Sequence, residues 1–222
     1  MRKWGIVISV FYAVIVVGLL APAGLRLAMA GTDAPFFKTL EDMYSEWVVW
    51  AAMLAVIGGQ AILLFLSVDA SQKRLKPRTH LAVSVVAGSM LFALLAFAAT
   101  SAGGAAMAGD KFLDRFWDTE MEVVWIFLAF WLVWGVLFYL YFRNSAEVTT
   151  RIVSWLLKGS VLELLIVVPC HVWVRRRDDC SAPIATSFGI VTGIAVMLLA
   201  FGPSVLLLYK KRLDTYGARP AK

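Results

Sequence analysis

The stretch from Val123 to Phe142 reads VVWIFLAFWLVWGVLFYLYF and contains no charged residue. A helix of about 20 apolar residues crosses the roughly 30 Å of hydrocarbon in a lipid bilayer. Five further apolar runs have a similar length, and the six runs together are Trp4–Ala23, Trp47–Val68, Leu81–Ser101, Val123–Phe142, Ile152–Val174 and Ile184–Tyr209. The sequence therefore predicts an all-α integral membrane bundle of six transmembrane helices, arranged as three hairpins.

The composition leaves little room for anything outside the membrane. Hydrophobic residues make up 61% of the chain and charged residues only 16%, whereas a soluble domain carries about 25% charged residues. The longest segments between the apolar runs are Gly24–Glu46 and Ala102–Glu122. We therefore expect a single domain over residues 1–222 with no soluble domain. The net charge of +6 is attributed to the loops and does not indicate nucleic-acid binding.

The basic residues of the loops predict the orientation of the bundle. If the N-terminus is cytoplasmic, the inner segments carry thirteen Lys and Arg residues and the outer segments carry seven. Cytoplasmic loops of membrane proteins carry an excess of Lys and Arg. We therefore expect a bacterial-type inner-membrane protein with both termini in the cytoplasm. Residues 28–30, Ala-Met-Ala, would fit a signal-peptide cleavage site, but the first apolar run is longer than a signal core, which favours a retained helix.

Two outer loops resemble each other and suggest an internal duplication. Residues 36–50 and 111–125 are both acidic and aromatic, and each ends in Val-Val-Trp at the start of a span. Gly88–Leu91 in the third span also echoes Gly159–Leu162 in the fifth. We expect spans 2 and 3 to be a copy of spans 4 and 5, with chance similarity as the alternative. The aromatic residues of both loops recur at helical spacing, which predicts either an interfacial aromatic belt or a docking face.

The densest polar segment joins the fifth and sixth spans and contains three consecutive arginines. Because the orientation places this loop outside, we expect Arg–carboxylate pairs that clamp the third hairpin against the other two. The alternative is a binding site for an anion, a lipid headgroup or a protein partner. The residues of this outer-loop cluster are Cys170, His171, Arg175, Arg176, Arg177, Asp178, Asp179 and Cys180.

Cys170 and Cys180 are the only cysteines, and in an oxidising compartment they predict a structural disulfide. Two alternatives stay open: a redox-active thiol pair, and a zinc or copper site formed by Cys170, His171 and Cys180. No cofactor is predicted. His80 and His171, the only histidines, are expected on opposite sides of the membrane, which disfavours a bis-histidine haem within the bundle.

Glu163 is the only acidic residue within a predicted span. An acid at this depth is expected to be protonated, paired or beside water, which makes it a candidate proton relay, cation site or interhelical hydrogen bond. Lys158 in the same span lies nearer the cytoplasmic end, where its amine can reach the headgroups. Gly202 and Pro203 predict a kink in the sixth span, because proline removes a backbone hydrogen bond.

Familiar catalytic motifs are absent from the sequence: it has no phosphate-binding loop, zinc-protease motif, nucleophile elbow or dinucleotide fingerprint. We therefore expect a non-enzymatic membrane subunit or assembly protein of a larger complex, such as a respiratory or periplasm-facing one. Its expected partners are the bilayer and a protein at the outer face. One alternative is a small transporter or channel, which predicts that polar residues of other helices converge on Glu163. The other is a thiol-redox membrane protein that uses Cys170 and Cys180.

Overall fold

Eight helices make up the part of the chain that the structure, a computed structural model, describes. This part comprises residues 14, 16, 18–29, 33, 35–45, 47–69, 77–117, 120–145, 148–177 and 180–217, and it contains no β-strand. The helices are α1 (Gly18–Ala28), α2 (Phe36–Ser45), α3 (Trp47–Asp69), α4 (Pro77–Ala108), α5 (Asp110–Trp117), α6 (Glu120–Phe142), α7 (Val148–Val174) and α8 (Ala182–Gly217).

Within the described residues, four helices are long and apolar enough to cross a membrane. Their spans are Leu81–Ala108, Glu122–Phe142, Val148–Val174 and Ala182–Ala200, which match the third to sixth predicted spans. In the first two predicted spans, the described apolar helices are Gly18–Ala28 and Val49–Leu63, which are shorter than a span. Over the described residues the structure therefore confirms an all-α bundle with four candidate membrane-spanning helices, and six transmembrane helices stay a prediction.

Helices α4 and α7 run parallel and lie against each other along their length. Near their starts, the hydroxyl groups of Ser84 and Thr149 are 3.1 Å apart and share a hydrogen bond in the buried interface. Near their ends, Ala105 and Val174 belong to one buried cluster. Two neighbouring parallel helices require that the helix between them in sequence, α6, returns across the bundle, as the three-hairpin arrangement predicts.

The register of this pair does not confirm the internal duplication. Gly88 packs against Ile152, and Gly159 packs against Phe92. The numbers of these neighbours differ by 152 − 88 = 64 and 159 − 92 = 67, whereas the proposed repeat relates Gly88 to Gly159, a difference of 159 − 88 = 71. At about 1.5 Å per residue, the two Gly-Ser motifs therefore lie roughly 6–10 Å apart along the bundle. The duplication stays a prediction.

Helices α3, α6 and α8 run opposite to α4 and α7. Their directions follow from residues that pack together: Gly59 with Leu91 and Val56 with Leu94 for α3, Phe127 with Phe97 and Trp134 with Phe92 for α6, and Gly189 with Val167 and Gly193 with Glu163 for α8. The helices thus alternate in direction from α3 to α8, apart from the short α5.

The helices differ in how much of their surface the chain itself covers. In the most apolar window of each span, 61% of α4 and of α8 is buried, against only 6% of α6. The apolar surface of α6 is therefore left for lipid or for another protein. Four of the five tryptophans described as exposed lie at the end of the bundle that carries α5, as an aromatic belt at the headgroups would; they are Trp47, Trp50, Trp125 and Trp173, and the fifth, Trp155, lies near the start of α7. We call the end of the bundle that carries α5 the Asp110 end.

The close contact between α4 and α7 predicts a cost for any side chain at Gly88. A Cβ there would collide with Ile152, which is fully buried and, being β-branched, has few rotamers to retreat into. We expect Gly88→Ala to lower the free energy of unfolding by about 1–3 kcal/mol through overpacking, measured by denaturation in mixed micelles. The control is Gly103→Ala in the same helix, because an added Cβ there has no heavy atom within 4 Å. An equal loss of stability in both variants would contradict the prediction.

Candidate functional site

Helix α4 ends at a glycine that turns the chain directly into α5. Gly109 has a φ of 62°, a left-handed conformation that glycine adopts without the steric penalty of a Cβ. Its N–H donates to the carbonyl of Ala105 at 2.9 Å, and Phe112 N–H donates back to Gly109 O at 3.1 Å. This tight turn places Asp110, the first residue of α5, beside the start of α8.

Asp110 caps the N-terminus of α8 from a distant part of the chain. Its Oδ1 accepts hydrogen bonds from Ser181 N at 2.9 Å, Ser181 Oγ at 2.9 Å and Ala182 N at 3.0 Å, and its Oδ2 accepts one from Cys180 N at 2.8 Å. The first N–H groups of a helix have no partner within that helix, and its N-terminus attracts negative charge. One carboxylate therefore satisfies the donors that begin α8.

These donors also lower the pKa of Asp110. The backbone N–H of Cys180 contributes most, the N–H groups of Ala182 and Ser181 add to it, and partial burial opposes them, so that the pKa falls from 3.8 to about 2. Hydrogen bonds to the ionised carboxylate favour the charged form. Asp110 is therefore ionised at every pH near neutrality, and its bonds to the loop are charge-assisted.

Arg177 makes the reverse connection, from the loop to the end of α4. Its Nη2 donates to the carbonyl of Ala106 at 2.6 Å, and its guanidinium lies 5.4 Å from the ring centre of Trp173. Ala106 is in the last turn of α4, where carbonyls lack helical partners and cations are favoured. An acid thus caps the start of α8 while a base caps the end of α4, and the α7–α8 turn is tied to the α4–α5 turn at two points.

The Arg–carboxylate clamp predicted for the third hairpin stays a prediction, because the described contacts between this loop and the α4–α5 turn are bonds to helix ends instead. Arg175 is partly buried and Arg176 is exposed. Asp178 and Asp179 lie outside the described residues, so their pairing with the arginines stays a prediction. Binding of an anion, a headgroup or a partner by this cluster also stays a prediction.

The predicted disulfide is not formed in the structure, where Cys170 and Cys180 are both free thiols. The predicted fifth span ends at Val174, as α7 does, yet the disulfide expectation treated Cys170 as part of the loop that follows. Cys170 is therefore held within a helix, one turn before its end. Cys180 is exposed beyond the turn and its N–H is bound to Asp110. The helix and this bond hold the two thiols apart, which also weakens the alternative of a redox-active pair.

His171 is engaged in a buried contact between α7 and α8. Its Nδ1 lies 2.8 Å from Thr186 Oγ1, and that hydroxyl lies 3.1 Å from the carbonyl of Pro183. A threonine hydroxyl has one hydrogen, so if it donates to Pro183, Nδ1 of His171 must be the protonated ring nitrogen. Across the described residues, no three His, Cys, Asp or Glu side chains are grouped to hold a metal ion. The site proposed for Cys170, His171 and Cys180 is therefore unsupported.

A bis-histidine haem within the bundle would require His80 and His171 to lie close together. His171 lies near the Asp110 end of α7, while the backbone of His80 lies in the first turn of α4, at the opposite end. The side chain of His80 falls outside the described residues. Opposite ends of two parallel helices are consistent with the expected separation, and the expectation about haem itself stays untested.

Glu163 lies on the buried face of α7, where only 3% of its surface is exposed. Neither carboxyl oxygen has a hydrogen-bond partner, and among the described buried side chains only Gln60 Nε2 shares this condition. A Cβ at Gly193 of α8 would collide with the carboxyl group of Glu163. Any side chain at this position of α8 would therefore force the carboxyl group of Glu163 to move.

The structure separates Lys158 from Glu163. Lys158 is exposed and Glu163 is buried, and five residues on a helix correspond to a rotation of about 140°, so the two side chains leave opposite sides of α7. The transporter alternative predicted that polar residues of other helices converge on Glu163. In the described part of the bundle, no polar side chain makes a hydrogen bond to it, which leaves that alternative without its expected coordination.

Helix α8 continues through Gly202 and Pro203 to Gly217. The side chains beyond Ala200 lie outside the described residues, and the kink at Gly202–Pro203 stays a prediction.

Two features of this site escaped the sequence analysis. The sequence alone pointed to no role for Asp110, because its partners are mainly backbone N–H groups about 70 residues away. Gly189 and Gly193 form a small-xxx-small pair, a pattern that indicates close helix packing in membranes. This spacing was a usable signal for the α7–α8 contact, and it stands opposite the one intramembrane acid.

Comparison of the chain with known protein families, curated proteins and solved structures found no match. The function must therefore be argued from the residues of this chain.

The Asp110 cap predicts a stability that depends on both its carboxylate and the pH. We expect Asp110→Ala to lower the free energy of unfolding at pH 7 by about 1–3 kcal/mol, because it leaves the first N–H groups of α8 without an acceptor. The wild-type advantage is fully present above the unfolded pKa of about 3.9 and is lost as the pH falls towards about 2.

The measurement is thermal unfolding of both proteins in detergent between pH 7 and pH 2.5. Asp114→Ala is the matched control, because Asp114 is an exposed acid in the same helix. A gap between wild type and Asp110→Ala that stays constant down to pH 2.5 would show that the carboxylate does not supply the cap.

The free cysteines predict two reactive thiols in protein purified without reductant. We expect Cys180, which is exposed, to react with maleimide in the folded protein faster than Cys170, which is partly buried in α7. The Cys170→Ser and Cys180→Ser variants assign the two rates, and intact mass after denaturation counts the thiols. An oxidised mass that resists maleimide until reduction would restore the disulfide.

Proposed function

We propose that this chain is a non-enzymatic subunit or assembly protein of a larger membrane complex, which docks a partner protein at its Asp110 end. The observation that carries this proposal is the exposure of Phe37 and Met107. They are the most exposed large hydrophobic side chains of the described chain, at 80% and 83%. Phe37 lies in α2, before the exposed tryptophans of α3. Met107 lies in the last turn of α4, two residues before Gly109.

The depth of these residues distinguishes them from the other exposed apolar side chains. Leu19, Leu54, Leu132 and Leu165 are also well exposed, but they lie within apolar helices, where lipid covers them. The span that ends with Met107 and Ala108 has 28 residues, a length of about 42 Å against roughly 30 Å of hydrocarbon. Its last turn therefore reaches beyond the hydrocarbon, where an apolar side chain gains from contact with a protein.

Charge and rigidity support the same conclusion. Exposed charges of both signs lie near Phe37 and Met107 in sequence, so a partner with polar groups of both signs around an apolar centre suits this end; these residues are Lys38, Glu41 and Asp42 in α2 and Lys111, Asp114 and Arg115 in α5. The reciprocal caps of Asp110 and Arg177 hold the α4–α5 and α7–α8 turns together. A surface that is already ordered loses less conformational entropy on binding. The inner-membrane location and the cytoplasmic termini belong to this proposal, since the charge distribution supports them.

The docking proposal predicts protein contacts from Phe37 that a lipid-facing position does not make. We expect a photoreactive phenylalanine analogue at position 37 to crosslink to one discrete protein in native membranes, and Phe37→Ala to reduce the amount of that protein that co-purifies in mild detergent. Leu165 is the control, because it is 68% exposed within a span, and a crosslinker there should capture lipid only. A monodisperse monomer, with no protein crosslink from positions 37 or 107, would refute the proposal.

A further inference from the structure

Glu163 places a carboxyl group deep inside the bundle without a partner. It lies 15 residues after the start of α7 at Val148 and 11 residues before its end at Val174. At about 1.5 Å per residue these separations correspond to about 22 Å and 16 Å. With 3% of its surface exposed and neither oxygen hydrogen-bonded, the group is far from both aqueous sides.

No opposite charge faces Glu163 from the helices packed around it. Helices α3, α4 and α8 pack against α7, and their residues 49–63, 81–108 and 182–200 contain no titratable side chain. On α6, which packs mainly on α4, Glu122, Tyr139 and Tyr141 are exposed. On α7 itself the titratable side chains are Arg151 and Lys158, which are exposed, and Cys170 and His171, which lie two turns away.

Glu163 has no described hydrogen-bond partner, so any ion bound there must be stabilised by this one carboxyl group. An unpaired carboxylate in the membrane interior is unfavourable by several kcal/mol. A metal cation would need several oxygen ligands to replace its water, and among the described residues no polar group is hydrogen-bonded to the Glu163 carboxyl group to help form such a shell. A proton needs only the one carboxylate. We propose that Glu163 is a proton-binding site within the membrane, occupied at neutral pH by a proton from water.

The same contact links the proton to the packing of α7 against α8. The carboxyl group lies directly against the backbone at Gly193, where an ionised group would have no water and no donor side chain. Release of the proton therefore requires α7 and α8 to separate enough to admit water. The site thus couples proton binding to the α7–α8 contact. This inference does not depend on the docking partner, because it concerns the interior of the bundle.

Infrared spectroscopy of the full chain in phosphatidylcholine vesicles tests the occupancy directly. A protonated carboxyl group has a C=O stretching band that a carboxylate lacks, and ordinary Asp and Glu side chains are ionised at pH 7. We expect the wild type to show this acid band at pH 7, and Glu163→Gln to lose it. Glu122→Gln is the matched control, because Glu122 is an exposed acid at the start of α6, and it should retain the band.

Each result decides the proposal. A wild type without an acid band at pH 7, or a band that persists unchanged in Glu163→Gln, would overturn it. Glu163→Gln replaces a neutral acid by a neutral amide and removes the cost of keeping a proton on Glu163 at pH 7. We therefore expect its thermal midpoint at pH 7 to equal or exceed that of the wild type; a large loss would indicate an ionised, paired Glu163 and would count against the proposal. If the variant does not fold, labelling of wild-type Glu163 by an apolar carbodiimide, but not by a water-soluble one, assigns the band, and absence of that label refutes it.

The coupling to α8 has its own readout. Gly193→Ala should displace the carboxyl group, and so shift the acid band in frequency, while Gly103→Ala, where a Cβ meets nothing, should leave the band in place. As the pH is raised from about 4.3, the ordinary pKa of a Glu side chain, the thermal stability of the wild type should fall relative to Glu163→Gln and level off where the acid band disappears, because only the folded state keeps the proton over this range. A band that titrates without any such fall would overturn the coupling.

Discussion

The bundle depends on the close approach of α4, α7 and α8, which small residues allow. Apolar helices in lipid gain nothing from hydrophobic burial against one another, so their association relies on dense packing and a few polar bonds. Gly88 and Gly159 bring α4 and α7 together against Ile152 and Phe92. Gly189 brings α8 against α7 and close to the α4 backbone. The three helices thus form a core in which glycines, having no side chain, allow the close packing.

At the Asp110 end, unpaired backbone groups at the ends of two helices are capped by side chains from outside those helices. Each helix presents unpaired N–H groups at its start and unpaired carbonyls at its end, and these groups need partners where the membrane surface excludes free water. Asp110 serves α8 and Arg177 serves α4. Because each charge caps the other hairpin's helix, neither hairpin has this end fully satisfied without the other. The two caps therefore fix the positions of α4, α7 and α8 relative to one another along the bundle axis, and they also stabilise the fold.

The parts of this structure that the sequence predicted are those that side-chain composition encodes. Apolar length identified α4, α6, α7 and α8 as spans, since hydrocarbon imposes a minimum length, and the isolated acid at Glu163 was recognised because any charge is rare there. The Asp110 cap was missed because its partners are backbone N–H groups, which every residue carries. The disulfide expectation failed although the predicted fifth span ended at Val174, as α7 does, because it paired a thiol inside that helix with a thiol beyond the turn.

Glu163 connects these observations, because a buried carboxyl group, which is energetically unfavourable in the membrane, lies against a glycine that lets α8 pack closely. A structural role would be served by an amide or a hydroxyl, both of which could hydrogen-bond within α7 without a charge at stake. A carboxyl group with two idle oxygens gives the core nothing that glutamine would not, apart from the capacity to exchange a proton. The α8 glycine that makes room for it removes packing area from the α7–α8 interface. A site that weakens its surroundings twice, and that is nonetheless fully enclosed, is better explained by the chemistry of the acid than by the stability of the fold.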